Sequence, residues 1–294
     1  MKLGFIGLGR MGMNMVFNLV DHKHQVVAYN RSPEPITEAA NYGAISAHSL
    51  PELIDQLSSP KIIWIMIKAG QPVDDMIAQL VPLLKRGDIL IDGGNSYFED
   101  SIRRYTELKK KGIHFLDCGT SGGMEGARHG ACMMVGGDKE VFTKVEVLFR
   151  DMSVKDGYGY MGKAGAGHFV KMVHNGIEYG MMGAIAEGMQ AIKDSPLQID
   201  PRTAANVYAH GSIVQSRLVD WLQQAYAEGL VDTVAGEVPK GETEEEMEKL
   251  EALAPMEVLH AARLMRVATR TKPSYAGKLL AAMRNKFGGH AVKK

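Results

Sequence analysis

The chain has 294 residues, with 34 Lys and Arg balancing 34 Asp and Glu, 45% hydrophobic residues and 23% charged ones. At this length folding buries about three quarters of the extended surface, so no disulfide or metal staple is required, and zero formal charge provides no global positive field to gather nucleic acid or an anionic membrane. The composition excludes a disordered or collagenous chain, and the longest purely apolar run, Ile62 to Ile67, is too short to cross a bilayer.

The opening MKLGFIGLGRMG lacks the extended apolar core and small-residue cleavage pattern of a signal peptide. Cys118 and Cys132 are too few for a disulfide framework and have no His at ligand spacing. These features lead us to expect a soluble cytoplasmic protein without a metal, nucleic-acid or membrane partner.

Short apolar runs at Lys2 to Ile6, Gln25 to Tyr29, Lys61 to Ile67, Ile89 to Asp92 and Ile113 to Asp117 read as buried strands. Met11 to Val20, Pro33 to Tyr42, Val73 to Leu84 and Asp100 to Lys111 read as helices between them. Strand and helix in alternation imply a doubly wound α/β fold, a Rossmann-like parallel sheet covered on both faces. After about Gly162 strand-like runs become scarce and long helical spacings take over. We expect an α/β domain over residues 1–163 and an all-α domain over 164–294. Within the latter, Glu237 to Glu251 holds seven glutamates and reads as a solvated loop leading into a helix.

Gly7-Leu8-Gly9-Arg10-Met11-Gly12 matches G-x-G-x-x-G directly after a strand and at the start of a helix, the context that makes this motif a dinucleotide site. Gly7 permits the tight turn, Gly9 admits the pyrophosphate and Gly12 lets helix and strand pack closely. Where NAD sites carry an acidic residue for the ribose 2'-hydroxyl, this chain has Asn30-Arg31-Ser32. A guanidinium with a hydroxyl and no carboxylate favours a 2'-phosphate, hence NADP. A second glycine-rich turn, Asp117 to Gly123, ends the fifth strand, where Ser121, Gly122 and Gly123 form either a structural turn or an anion nest.

The segment Gly165 to Tyr179 opens the helical half. At 100° per residue Lys171, Asn175 and Glu178 fall at about 0°, 40° and −20°, a narrow polar stripe on an otherwise apolar helix. Such a stripe is commonly solvated, but the apolar and glycine flanks point to a central helix whose stripe faces a cleft. His168 and His174 do not share a face, so hydrogen bonding suits them better than metal binding.

Several segments carry a resemblance: GLGRMG, KAGQPVDD (68 to 75), DGGNS (92 to 96), SGG (121 to 123), GAGHFVKMVHNGIEYG (165 to 180) and RNKFGGH (284 to 290). Together they resemble the decarboxylating 6-phosphogluconate dehydrogenases, in their short bacterial form, within the β-hydroxyacid dehydrogenase superfamily. The resemblance implies oxidation of 6-phosphogluconate with NADP to ribulose 5-phosphate and carbon dioxide, without metal. By that resemblance Lys171 is the general base and acid, and Glu178 is the acid that protonates the enediol. Asn175 and His174 hold substrate, Tyr179 binds phosphate, and Ser121, Gly122 and Gly123 receive the sugar-acid end. Lys68 with Ala69, and Asn95, match positions at the cofactor, Asn95 also bordering substrate. Arg266 matches a phosphate arginine, and Arg284 and His290 match a pair that in the family reaches across from a neighbouring subunit, implying a homodimer or homotetramer with a shared active site.

The chain departs from the family at Gly236 to Glu242. Relatives there carry a Gly-(Lys/Arg)-Trp-Thr turn; here Lys240 stands among acidic residues without the tryptophan, and Gln215 replaces a frequent arginine. A dehydrogenase for another β-hydroxyacid and a non-catalytic dinucleotide-binding module are the alternatives. Glu178 separates the first from the decarboxylase, because a simple β-hydroxyacid dehydrogenase has no carbon to protonate. The pairing of Lys171 with Glu178 separates the second.

Overall fold

The computed structural model describes residues 1–241 and 243–293. Glu242, the end of the segment that departs from the family turn, lies outside the described residues. The chain divides into two compact units, Met1–Lys171 and Met172–Lys294.

The first unit is built on one eight-stranded sheet. Its strands are β1 (Lys2–Ile6), β2 (Gln25–Tyr29), β3 (Ile45–Ser46), β4 (Ile62–Ile65), β5 (Ile89–Asp92), β6 (His114–Ser121), β7 (Ala131–Gly137) and β8 (Ser153–Gly162). Helices α1 (Arg10–Asp21), α2 (Pro33–Tyr42), α3 (Leu50–Asp55), α4 (Gln71–Leu80), α5 (Phe98–Lys110), α6 (Gly123–His129) and α7 (Lys139–Met152) connect them. The spatial order β3-β2-β1-β4-β5-β6-β7-β8 reverses direction at β1 and β4, so the glycine loop after β1 opens at the topological switch point. β4 and β5 are buried along their whole length, as their Ile, Leu and Trp content dictates, and β5 carries one buried carboxylate, Asp92, at its end. Trp64 stacks against Phe5 at 6.2 Å between ring centroids and tilts against Phe149 at 5.7 Å, filling the core on one face.

All five expected strands form, and β1, β2, β4, β5 and β6 are mutually parallel. The pair at the far edge is an addition: β7 runs antiparallel to β6, and β8 parallel to β7. Sequence patterning hid both. β7 ends in Gly136-Gly137, and β8 is a mostly half-exposed run of Gly, Tyr and charged residues without an apolar face.

The long helix α8 (Ala166–Asp194) starts in the first unit and continues into the second. Its first turn is fastened to the sheet by Asp117, a fully buried carboxylate near the middle of β6. Asp117 Oδ1 accepts from the Gly165 amide at 2.7 Å and Oδ2 from the His168 amide at 2.9 Å, a carboxylate on the positive end of a helix. Glycines make the approach possible. A Cβ on Gly167 would meet Met134 O at 2.4 Å, Asp117 O at 2.7 Å and the Gly136 amide at 2.8 Å, all backbone atoms that cannot move aside. A Cβ on Gly119 would lie 2.3 Å from Lys171 Cβ, so Lys171 leaves its helix directly against β6.

In the second unit α9 (Pro201–Tyr208), α10 (Arg217–Ala227), α11 (Leu230–Thr233), α12 (Glu244–Leu253), α13 (Glu257–Ala268) and α14 (Tyr275–Gly288) surround the later turns of α8. The core is Met182, Met189, Leu222, Leu279, Leu280, Met283 and their neighbours. The acidic segment departs from expectation in part. Most of it is the helix α12, and Glu244 is buried against Arg270, while Glu248 and Glu251 pair with Arg263. The basic stripe of α13 and the residues after it neutralise the run, which is why it folds instead of remaining a solvated loop.

Gly167→Ala is expected to destabilise by about 1–3 kcal/mol, the range for forcing atoms into a packed contact. Gly188→Ala, where an added Cβ meets nothing within 4 Å, should instead stabilise by up to about 1 kcal/mol. Urea denaturation of the two variants beside the parent measures both.

Candidate active site

The glycine loop has the form a dinucleotide needs. Gly7 takes a φ of 100°, and a Cβ there would strike Met66 O at 2.3 Å. A Cβ on Gly12 would strike Gly7 O at 2.0 Å. Gly9 is the opposite case: nothing lies within 4 Å of where its Cβ would be, and it caps α1 without a side-chain hydrogen bond. With open space at Gly9, the N-terminus of α1 can be approached closely, as a pyrophosphate cradle requires. Leu8 is buried, Met11 half-buried and Arg10 exposed.

Asn30 fixes the neighbouring loop. Its Oδ1 accepts from the Leu8 amide at 3.1 Å and its Nδ2 donates to Ser32 O at 3.2 Å, so its side chain ties the glycine loop to the start of α2. Arg31 and Ser32 are exposed at the end of β2. Lys68 and Asn95 are exposed and Ala69 half-buried on the loops that follow β4 and β5. Ser121 ends β6, and Gly122 and Gly123 follow with φ of 123° and 63°, conformations glycine alone adopts readily.

On α8 Lys171, Asn175 and Glu178 stand at the expected helical spacing, with about 10 Å of axial rise from lysine to glutamate. The sequence reading did not identify what anchors this helix: Asp117, the glycines at 119, 136 and 167, and the Ser101 hydroxyl 2.7 Å from His168 Nδ1. A carboxylate inside an apolar strand with glycine two residues on, Asp117-Cys118-Gly119, was the available signal. His168 is buried, with Nε2 making no hydrogen bond to any described residue. His174 Nδ1 lies 3.2 Å from Asn175 Oδ1.

The helical unit concentrates positive charge beside Glu178 and Tyr179. Arg266 is 4% exposed, and its guanidinium lies 3.4 Å from the centroid of the Tyr179 ring. Nη2 contacts the Met182 thioether at 3.2 Å, and Nε has no hydrogen-bond partner among the described residues. Burial pushes its pKa down to about 10, helped by the charge of Arg284 and opposed by Tyr179 and Glu178. Arg284 is also buried, and burial likewise lowers its pKa; it donates to Pro239 O at 3.0 Å and lies so close to Gly241 that a Cβ there would sit 2.9 Å from Nη2. The Tyr179 hydroxyl is 3.0 Å from Thr243 Oγ1. Two desolvated guanidiniums, one with an orphaned N–H, are arranged to receive an anion.

Arg284 belongs to the chain's own helical unit, where it joins Arg266 and Tyr179. His290 folds back on its own α14, packing edge-on against Phe287 at 5.8 Å. Lys240 is exposed and paired with Glu245 at 2.9 Å. Among the described residues no group of three or more His, Cys, Asp or Glu could hold a metal ion, and no helix is long and apolar enough to cross a membrane.

Comparison with known proteins gives the family. Residues 2–162 match the model for the NAD-binding domain of 6-phosphogluconate dehydrogenase, and residues 167–197 match that for the 6-phosphogluconate dehydrogenase C-terminal domain. An NAD(+)-dependent, decarboxylating 6-phosphogluconate dehydrogenase of Haloferax volcanii is 37% identical over 299 residues, covering 99% of this chain and 98% of that protein. The chain belongs to the 6-phosphogluconate dehydrogenase family. The decarboxylating enzyme of Homo sapiens is 46% identical over 202 residues, which cover 65% of this chain and 42% of the human one. A structure of the Plasmodium falciparum enzyme, described apo, with NADP+ and with 6-phosphogluconate, superimposes with a TM-score of 0.85 at 31% identity over 92% of this chain and 62% of that one. The chain is thus similar in length to the Haloferax protein and matches under half of the human one.

Inorganic phosphate is expected to raise the melting temperature of the parent protein, by about 2.7 kcal/mol of stabilisation at a hundredfold excess over its Kd. In Arg266→Met the phosphate-dependent rise should vanish, while stability without phosphate is kept or improved, because a buried unpaired charge has been removed. Thermal scans with and without phosphate test both parts.

Proposed function

We propose that the chain oxidises 6-phosphogluconate with NADP and decarboxylates it to ribulose 5-phosphate, the reaction of the pentose phosphate route. Residues 1–163 would bind the dinucleotide and 164–294 the sugar acid, in a cytoplasmic homodimer or homotetramer. The observation that carries this reading is the polar stripe of α8, with Lys171 at one end and Glu178 at the other, Glu178 lying within electrostatic reach of the orphaned guanidinium of Arg266.

NADP, when bound on the glycine loop, supplies the hydride acceptor. Gly7, Leu8, Gly9, Arg10, Met11 and Gly12 would hold its pyrophosphate, Asn30, Arg31 and Ser32 its adenosine end, and Lys68, Ala69 and Asn95 its flank. Lys171, neutral at the outset, takes the proton of the C3 hydroxyl as the C3 hydride leaves. Lys171, now charged, then returns that proton to the C3 carbonyl oxygen as C1 departs as carbon dioxide, stabilising the charge that develops there. Glu178 finally delivers a proton to the carbon that was C2, now C1 of the enediol, while Lys171 takes the proton of the adjacent enediol hydroxyl, leaving the C2 ketone of ribulose 5-phosphate. Asn175 and His174 orient the sugar hydroxyls, and Ser121, Gly122 and Gly123 receive the carboxylate end. Tyr179, Arg266 and Arg284 hold the phosphate, with Lys240 and His290 at its margin.

Coupled measurement of NADPH formation and carbon dioxide release from 6-phosphogluconate tests the reading. Both should appear in equal amounts. Lys171→Met should abolish hydride transfer, and Glu178→Gln should slow product formation more than the hydride step. Hydride transfer without gas would indicate another β-hydroxyacid substrate, and full activity in Lys171→Met would refute the assignment.

For the cofactor, one or two charge-assisted hydrogen bonds from Arg31 and Ser32 to a 2'-phosphate should make the KM for NADP about 10- to 100-fold lower than that for NAD. Arg31→Ala should erase most of that ratio. NAD is the second reading, favoured by the name of the Haloferax relative; a lower KM for NAD in the parent protein would decide for it.

A further inference from the structure

We propose that Arg104 is a positioning residue for the dinucleotide. The inference rests on the reading that the loops after β4 and β5 flank the cofactor. Arg104 projects from α5, is 1% exposed, and uses all five of its N–H donors. Nε and Nη2 donate to the two oxygens of Asp74 at 2.8 and 3.2 Å. Nη2 also donates to Gly70 O at 3.0 Å, and Nη1 donates to Asp92 Oδ2 at 3.2 Å and Ser96 Oγ at 3.1 Å.

These partners belong to two chain segments that are not adjacent in sequence. Gly70 and Asp74 close the loop after β4 and open α4; Asp92 and Ser96 begin and end the loop after β5. Asp92 is itself fully buried and accepts from the Gly94 amide at 3.1 Å and the Ser96 hydroxyl at 2.7 Å. The two loops also meet directly, since a Cβ on Gly94 would lie 3.0 Å from Ile67 O, and Gly93 packs on the core ring of β4, where a Cβ would lie 2.2 Å from Trp64 Nε1. One rigid planar fork therefore sets the height of Lys68 and Ala69 relative to Asn95 at the C-terminal edge of the sheet. Lysine cannot reproduce this, because an ammonium has three donors and no fork.

Misplacing a binding loop by about an ångström costs on the order of tenfold or more. In Arg104→Lys, the Kd for NADPH, read from the enhancement of its fluorescence on binding, and the KM for NADP should both rise about tenfold or more. The KM for 6-phosphogluconate should stay within about twofold, and the variant should still melt cooperatively above the assay temperature. A folded Arg104→Lys with unchanged NADPH affinity overturns the proposal and leaves Arg104 a purely structural residue. If Arg104→Lys does not fold, Ser96→Ala and Asp74→Asn, which keep the guanidinium in place, decide. A rise in NADPH Kd of about threefold or more in either supports the proposal, and no change in both overturns it. Lys68→Ala and Asn95→Ala test the underlying reading: if neither changes NADPH affinity, the loops do not flank the cofactor and the proposal falls for that reason.

Discussion

The carboxylate of Asp117 on the first turn of α8 is the contact on which the rest of the first unit's chemistry depends. A buried carboxylate is costly unless it is hydrogen-bonded, and here two backbone amides at the positive end of a long helix donate to it. The bond pair sets both the height and the rotation of α8 on the sheet. Because Gly119, Gly136 and Gly167 leave no side chains between, helix and strand meet backbone to backbone, and the first polar residue of the stripe, Lys171, emerges against β6. A helix held this way turns its own periodicity into positions for the residues that follow along it.

The same device recurs with the opposite charge. Arg104 occupies the core of the loops after β4 and β5, where it donates to the Gly70 carbonyl and to the carboxylates of Asp74 and Asp92. Buried ions of this kind add little net stability compared with well-packed apolar groups. What they supply is a unique arrangement, because a fully satisfied fork tolerates one geometry. α5 joins the two devices: it carries Arg104, the Ser101 hydroxyl that meets His168, and Phe98, whose ring packs edge-on against Phe169 at 5.2 Å.

The helical unit leaves a deliberate deficit. Arg266 and Arg284 are both desolvated, burial lowers the pKa of each, and the charge of Arg284 adds to the depression at Arg266. Elsewhere in that unit arginine is fully paired, as Arg263 is with Glu248 and Glu251 and Arg270 with Glu244. The contrast between arginines with carboxylate partners and those without, on α13 and its continuation, is what supports the proposed phosphate site. It also explains why the unusual acidic segment does not spoil that place: its carboxylates are already bound by other cations, and Lys240 is held by Glu245.

The sequence by itself determined the α/β order of the first half, the helical second half, the glycine loop and the stripe of Lys171, Asn175 and Glu178. Each of these is written in residues close together in the chain, as an apolar run, a glycine spacing or a 3.6-residue period. It also carried the family, through motifs quoted from six separate segments. Only the tertiary structure decided the antiparallel β7 and its neighbour β8, the fastening of α8 by Asp117, the clamp of Arg104 and the folding of the acidic run onto Arg263 and Arg270. Many of those contacts join residues far apart in the chain, such as Arg270 with Glu244, 26 positions apart, and Asp117 with His168, 51 positions apart, and no local pattern records which carboxylate a buried cation will meet. Arg284 makes the point at the scale of one residue: only the packing of α14 shows that its buried guanidinium donates to Pro239 O within the charge field of Arg266.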